Sequence, residues 1–204
     1  MFQAYDTKRP SRGHMLIFNN SEFSPSSGYS SRIGSEKDTE NLTSTFQNFG
    51  FVVTKCENKT MKQCLEKFHQ EAVSDPLCSS VVIVLASHGR RDKRGIIASD
   101  GGVFDLDWVI CRFCRDCAKA LAGKPKMIIL QCCRGSQCPI IEYLCITSWS
   151  VYTKTHPMSP DVLMLSGNVS WRDRESGSWF IQAICEIFRE YSPKEHVMDM
   201  LIKV

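Results

Sequence analysis

Residues 81–89 read VVIVLASHG, and this stretch decides the fold. Residues 81–86 form an apolar run without alternation, which predicts a strand that is buried on both faces. Such strands belong to parallel sheets that helices cover on both sides. The run stops at residues 87–89 (SHG), so a titratable histidine directly follows a buried strand.

A second buried strand ends in a similar way. Residues 127–131 (MIILQ) run into residues 132–135 (CCRG), where two adjacent thiols precede an arginine and a glycine. In open α/β sheets, functional residues gather beyond the carboxyl ends of the strands. A His-Gly pair and a Cys-x-Gly motif that end two strands of one sheet therefore indicate a functional site.

The remaining segments alternate between strand-like and helix-like patterns. Their order is typical of an α/β fold with a mainly parallel sheet. Helices are predicted from an N-cap at Ser35 through Asn48 and over residues 60–73, 105–121 and 179–191, strands over residues 14–19, 51–54 and 161–165, and a loop or linker over residues 136–156.

Composition narrows the class of protein. The chain has 204 residues, enough for one domain, with 43% apolar residues, 23% charged residues and a net charge of +3. This charge does not favour a nucleic-acid partner, and no apolar run predicts a membrane span or a secretory signal. We expect a cytoplasmic chain whose eleven cysteines are reduced thiols, metal ligands or a catalytic thiol.

Four separated motifs resemble one known family. QCCRG at residues 131–135 matches the caspase signature Q-A-C-[RQG]-G, which has a histidine about 50 residues upstream, except that Cys132 replaces alanine. Residues 5–20, 31–42 and 170–180 are similar to three further caspase segments. The chain thus resembles the caspase family over nearly its whole length.

The resemblance implies a caspase-like three-layer sandwich, with a mainly parallel central sheet flanked by helices. Residues 1–136 would form the large-subunit-like part, residues 137–155 an inter-subunit linker, and residues 156–204 a truncated small-subunit-like part. Because the family continues beyond the position of Val204, we expect the last strand or strands to be missing.

The resemblance also implies the catalytic roles. Cys133 would attack the scissile carbonyl as a thiolate, and His88 would give a proton to the leaving amine. The backbone N–H groups of Gly89 and Cys133 would form the oxyanion hole. Because adjacent side chains of a strand face opposite sides, we predict that Cys132 is a buried and inert thiol.

Specificity is expected to follow from charge. Arg32, Gln131 and Arg172 resemble the trio that holds the carboxylate of the residue before the cut, and guanidinium groups suit an aspartate there. The resemblance also assigns substrate-binding roles to Ser170, Trp171 and Trp179. These two indoles would line subsites further from the cut, or they belong to the core.

The departures from the family pattern leave two hypotheses open. Residues 136–160 contain no aspartate, which argues against self-processing there, the chain stops at Val204, and almost no prodomain precedes Tyr5. The chain is either a cysteine endopeptidase that cleaves proteins after aspartate, or a truncated regulator that pairs or competes with a complete caspase.

The expected partners are protein substrates with aspartate before the cut, a second caspase chain in a homodimer or heterodimer, and caspase inhibitor proteins. We expect no cofactor and no metal. Metal binding by Cys111, Cys114 and Cys117, with or without Cys138, is a weaker alternative, since positions i, i+3 and i+6 drift around a helix.

Overall fold

The computed structural model describes residues 13–58, 61–90, 95–113, 117–132, 141–144, 162–167 and 172–204. The strands are β1 (Gly13–Asn19), β2 (Phe51–Glu57), β3 (Val81–Ala86), β4 (Gly95–Ile97), β5 (Val103–Asp105), β6 (Lys126–Gln131), β7 (Ile141–Leu144), β8 (Val162–Gly167), β9 (Arg172–Asp173) and β10 (Gly177–Ser178). The α-helices are α1 (Ser35–Asn48), α2 (Met61–Ser74), α3 (Leu106–Phe113), α4 (Trp179–Tyr191) and α5 (Val197–Leu201), and 3₁₀ helices lie at Pro25–Ser27 and Lys119–Leu121.

A six-stranded sheet forms the centre of the described fold, in the order β2-β1-β3-β6-β8-β7. The first five strands run parallel, and β7 pairs antiparallel with β8 at the edge. Two small antiparallel pairs, β4–β5 and β9–β10, lie outside this sheet. The predicted α/β class with a mainly parallel sheet is confirmed.

Strand β3 shows why its sequence lacks alternation. Ile83 and Leu85 pack into an apolar layer with α2 and α3, whereas Val82 and Val84 pack into a second layer with α1, α4 and α5. All four are buried, and burial stabilises each by about 1.5–3 kcal/mol. Both faces of the strand are therefore apolar, as the run at residues 81–86 predicted.

The start of α1 differs from the prediction. Gly34 occupies the N-cap position with a φ of 89°, and Ser35 is the first helical residue, so the assignment of Ser35 as the N-cap is wrong. The Ser35 hydroxyl instead accepts a hydrogen bond from Asn19 Nδ2 at 3.2 Å. A side chain at position 34 would lie 2.5 Å from the carbonyl oxygen of Asp173, so this turn requires glycine.

The helix predicted over residues 105–121 is shorter than expected. α3 ends at Phe113, and Leu121 lies in a separate 3₁₀ helix. Leu121 is buried like the apolar residues of α3. Its spacing from those residues therefore made the predicted helix too long.

The loop predicted over residues 136–156 is also only partly correct, since it contains β7. This strand pairs with β8 through four residue pairs in register. Residues 141–144 include isoleucine and tyrosine, which favour strands, and their pairing covers an edge of β8 whose backbone groups would otherwise need other partners.

Candidate active site

The ends of β3 and β6 lie side by side and form the base of the candidate site. Ala86 pairs with Gln131 in register, and the Ser87 N–H donates to the Gln131 carbonyl oxygen at 3.2 Å. The chain beyond β3 therefore begins next to the chain beyond β6. The two sequence motifs predicted that these strand ends would lie close together.

Strand β4 fixes the backbone around His88. Ile97 N–H donates to the His88 carbonyl oxygen at 2.8 Å, and Gly89 forms an isolated bridge with Ile96. The Ser87 hydroxyl donates to the Ile97 carbonyl oxygen at 2.6 Å. These bonds hold the turn that follows β3, so the imidazole starts from a defined backbone position.

The His88 ring lies against two aromatic rings and one carbonyl group. Its centroid is 4.8 Å from that of Phe23 and 5.2 Å from that of Tyr29. Nε2 lies 2.8 Å from the carbonyl oxygen of Ser30. Because a carbonyl oxygen only accepts hydrogen bonds, Nε2 carries a proton, and in the neutral ring Nδ1 is left as the basic nitrogen.

Burial lowers the pKa of His88 below its ordinary value, and the positive charges of Arg32 and Arg172 lower this pKa further. The hydrogen bond to Ser30 opposes these effects. The imidazole is therefore favoured in its neutral form, which can accept a proton from a nearby thiol. The two arginines act on His88 from different parts of the chain.

Arg32 lies at the end of the loop between β1 and α1, and only 2% of it is exposed. Its Nη1 donates to the Asn19 side-chain oxygen and to the Asn20 carbonyl oxygen, both at 2.8 Å. A buried guanidinium is costly unless it is hydrogen-bonded. These bonds fix Arg32 against the carboxyl end of β1.

Gln131 lies on the same face of the sheet as Asn19. Both align with Ala86 in the register of β1, β3 and β6, and paired residues of parallel strands share a face. Gln131 is fully buried, yet its Oε1 and Nε2 have no hydrogen-bond partner among the described residues. An unsatisfied buried amide costs about 1–3 kcal/mol, so a bound polar group would relieve this cost.

Arg172 begins the β9–β10 hairpin and is half-buried. Its Nε donates to the Ile33 carbonyl oxygen at 2.9 Å, directly beside Arg32 in the chain. The hairpin and the β1–α1 loop are therefore joined at the two predicted arginines, although 139 positions separate Arg172 from Ile33.

Asp38 lies in the segment at residues 31–42 that resembles the family, but the sequence assigned it no role in the site. It is 2% exposed on α1, and it accepts hydrogen bonds from the Ser178 N–H at 2.7 Å and from the Ser178 hydroxyl. Burial raises the pKa of Asp38, against the lowering effects of Ser178, Arg32 and Arg172. The carboxyl group thus ties the end of the hairpin to α1, next to both guanidinium groups.

Trp179 follows Ser178 as the first residue of α4, and 65% of it is exposed. The alternative that Trp179 belongs to the core is therefore wrong. Its exposed indole is compatible with the predicted subsite role, which stays a prediction. Cys133, Ser170 and Trp171 lie outside the described residues.

Cys132 is 1% exposed and belongs to the apolar layer formed with α2 and α3. Ile129, two residues before Gln131 and hence on the same face of β6, belongs to the other layer. The predicted burial of Cys132, on the face opposite to Gln131, is confirmed.

Within the described ranges, no group of three or more His, Cys, Asp and Glu side chains is arranged to hold a metal ion. Of the alternative thiol ligands, Cys111 and Cys117 lie with their sulfur atoms 3.9 Å apart. Cys114 and Cys138 lie outside the described residues. None of the described helices has the length and apolar character needed to cross a membrane.

The described fold is that of an α/β protein in which Gln131 ends one parallel strand and His88 and Gly89 closely follow its neighbour. The model of the caspase domain family matches residues 12–204. Caspase-3 from Oryctolagus cuniculus is 32% identical over an alignment of 207 positions. This alignment covers 98% of this chain and 74% of the relative. Caspase-3 from Felis catus is 33% identical over an alignment of 210 positions. This alignment covers 100% of this chain and 75% of the relative. The chain belongs to the caspase family of cysteine proteases.

Proposed function

We propose that this chain is a cysteine endopeptidase that cleaves proteins after aspartate, in cell-death or differentiation signalling in the cytoplasm. The observation that carries the proposal is the link between Arg172 and the backbone beside Arg32, close to the Gln131 amide at the carboxyl end of the sheet, which is buried and unsatisfied among the described residues. Two guanidinium groups can bind the carboxylate of a substrate and so hold its scissile bond close to His88.

The carboxylate of the substrate aspartate would bind to Arg32, Gln131 and Arg172, which we name the carboxylate pocket. Gln131 offers an amide without a protein partner in the described residues, and the hydrogen bonds of Arg32 and Arg172 to backbone carbonyls fix both guanidinium groups. Hydrogen bonds to a charged group stabilise binding by about 1.5–3 kcal/mol each. A neutral side chain at the same position would lose most of this stabilisation.

The proposed reaction begins at Cys133. Its thiol gives a proton to His88, and the thiolate attacks the main-chain carbonyl carbon of the substrate aspartate, so a C–S bond forms and the carbonyl oxygen becomes an oxyanion. His88 then gives its proton to the amide nitrogen as the C–N bond breaks. A water molecule hydrolyses the thioester, which releases the acid product and restores the thiol.

The N–H groups of Gly89 and Cys133 would stabilise the oxyanion. The bridge between Gly89 and Ile96 holds this part of the backbone, which supports its use as a preorganised donor. Removal of one such donor typically costs about 2.7–4 kcal/mol of transition-state stabilisation.

Further parts of the proposal concern binding beyond the carboxylate. Ser170, Trp171 and Trp179 would line the substrate groove, and the exposure of Trp179 supports this role. We also propose pairing with a second caspase chain and recognition by caspase inhibitor proteins, on the strength of the family alone.

Two alanine variants test the proposed nucleophile. With a fluorogenic peptide that ends in aspartate, Cys133→Ala should lower kcat by roughly 10³-fold or more, because it removes the attacking atom. Cys132→Ala is the matched control, and it should keep its turnover because Cys132 is buried in an apolar layer. Loss of turnover in Cys132→Ala, with a folded protein by circular dichroism, would mean that the nucleophile is wrongly assigned.

A second candidate is a regulator that binds a complete caspase without turning over substrate. The observation that favours it is the absence of aspartate from residues 136–160, since caspases commonly mature by cleavage after aspartate in this region. Sedimentation and peptide turnover on one preparation separate the two candidates. Turnover by the purified chain supports the peptidase, whereas no turnover together with a stable complex with a complete caspase supports the regulator.

A further inference from the structure

The thiols of Cys111 and Cys117 lie in contact. Their sulfur atoms are 3.9 Å apart, whereas a disulfide has an S–S distance of about 2.0 Å. The remaining approach is of the size that a side-chain rotation can supply. Cys111 lies in the last turn of α3, and Cys117 precedes the 3₁₀ helix at Lys119–Leu121.

Buried neighbours hold both thiols near each other. Ile110 and Phe113, close to Cys111 in α3, are 4% and 1% exposed, and Ala118, directly after Cys117, is 1% exposed. These side chains belong to the same apolar layer. The backbone at each cysteine is thus anchored, and little conformational entropy remains to be lost when the sulfur atoms join.

The two thiols are also open to solvent. Cys117 is exposed and Cys111 is partly exposed, whereas Cys64, Cys78 and Cys185 are buried. Burial raises the pKa of the Cys78 and Cys185 thiols, which disfavours their reactive thiolate forms. An oxidant in solution therefore reaches the pair at the end of α3 more readily than these three cysteines.

We propose that Cys111 and Cys117 form a reversible disulfide, and that this pair is an oxidation site separate from the candidate active site. One thiolate attacks a disulfide oxidant such as oxidised glutathione, which gives a mixed disulfide and one reduced glutathione. The second thiolate then displaces the other glutathione, so the two cysteines lose two electrons and two protons in total, and oxidised glutathione is reduced to two thiols.

The bond would join the end of α3 to the segment that leads into β6. Five residues separate the two cysteines, so the closed ring is small and its effect is local. Among the described residues these two thiols belong to no group of three or more metal-ligating side chains. A tetrahedral metal site needs four ligands, whereas a disulfide needs only the two sulfur atoms that already lie in contact.

Peptide mapping tests the proposal without any use of peptidase activity. The Cys133→Ala variant, which removes the proposed nucleophile as a competing thiol, is treated with oxidised glutathione, alkylated and digested with trypsin. Cleavage after Arg112 and Arg115 separates Cys111, Cys114 and Cys117 onto different peptides. We expect a cross-linked peptide that joins residues 95–112 to residues 116–119, the loss of two alkylation sites, and reversal of both by dithiothreitol.

Serine variants in the same background provide the controls. The cross-linked peptide should disappear in Cys111→Ser and in Cys117→Ser, and it should persist in Cys114→Ser. A bond that uses Cys114, or glutathione retained on both cysteines without a cross-link, would overturn the proposal. So would protection of Cys111 and Cys117 from alkylation by added zinc in the reduced protein.

Discussion

His88 is the single residue whose surroundings bear most directly on the proposed chemistry. Burial is the largest cause of its lowered pKa, and Arg32 and Arg172 add to it. The neutral ring therefore persists to lower pH than it would for an exposed histidine. An imidazole in this form can take the thiol proton near neutral pH, so the same two arginines that would bind the substrate also favour the basic form of His88.

The shift can be measured in the Cys133→Ala variant, where no thiolate can stabilise the imidazolium. An NMR titration of the ring protons should show a pKa for His88 below the ordinary histidine value of about 6.5. His88→Asn identifies the resonance by its loss, and the partly buried His69, whose pKa is also lowered, gives a second signal in the same spectrum. A pKa for His88 at or above the ordinary value would contradict the assigned surroundings.

The sequence indicated His88, Gln131 and the two arginines because each lies in a motif of adjacent residues. It did not indicate the role of Asp38. The partner of Asp38 is Ser178, 140 positions away. A contact of this kind leaves no local pattern, so the sequence alone could not reveal it.

The β9–β10 hairpin and the start of α1 act together at the scale of secondary-structure elements. Arg172 bonds to the loop before α1, and Asp38 bonds to the end of the hairpin. Gly34 lies at this junction, where a Cβ atom would come within 2.5 Å of the Asp173 carbonyl oxygen. The position of Arg172 therefore depends on close contact between two backbones.

A pair of glycine substitutions tests this junction. Gly123 has a φ of 72°, and a Cβ atom added there would meet nothing within 4 Å. Gly123→Ala should therefore lower the free energy of unfolding by about 1–2 kcal/mol through backbone strain alone. Gly34→Ala introduces similar backbone strain. It should lower the free energy of unfolding by about 1–3 kcal/mol more than Gly123→Ala does, because the added methyl group overpacks the junction. Urea unfolding measures both changes.

The same pair also distinguishes a local from a general effect. Gly34→Ala should raise KM for an aspartate peptide because it displaces the hairpin that carries Arg172, whereas Gly123→Ala should leave KM unchanged. Equal stability losses together with equal KM values would show that the junction does not position Arg172.

At this scale the sequence predicted the presence of the main helices and strands better than their ends. α3 ends at Phe113, whereas Leu121 belongs to a separate 3₁₀ helix. The spacing of apolar residues did not distinguish one long α-helix from these two helices. Strand β7 was missed because its pairing with β8 depends on a strand about twenty positions away.

The proposed carboxylate pocket would depend on the whole molecule. Arg32 follows β1, Gln131 ends β6, and Arg172 begins β9, so three distant parts of the chain supply it. The sheet order places β3 between β1 and β6, so Gln131 and the backbone before His88 meet at the carboxyl end of the sheet. The lack of alternation in the buried strands predicted a parallel sheet, whereas the residues of the pocket were predicted from the family resemblance.

The selectivity of the purified chain for aspartate shows whether Arg32, Gln131 and Arg172 bind a substrate carboxylate. Two fluorogenic peptides that differ only in aspartate or asparagine before the cut are compared by kcat/KM, with Cys133→Ala as the blank. If the pocket binds a carboxylate through two guanidinium groups, the aspartate peptide should be favoured by on the order of a hundredfold or more. Equal turnover of the two peptides would show that these residues do not select a carboxylate.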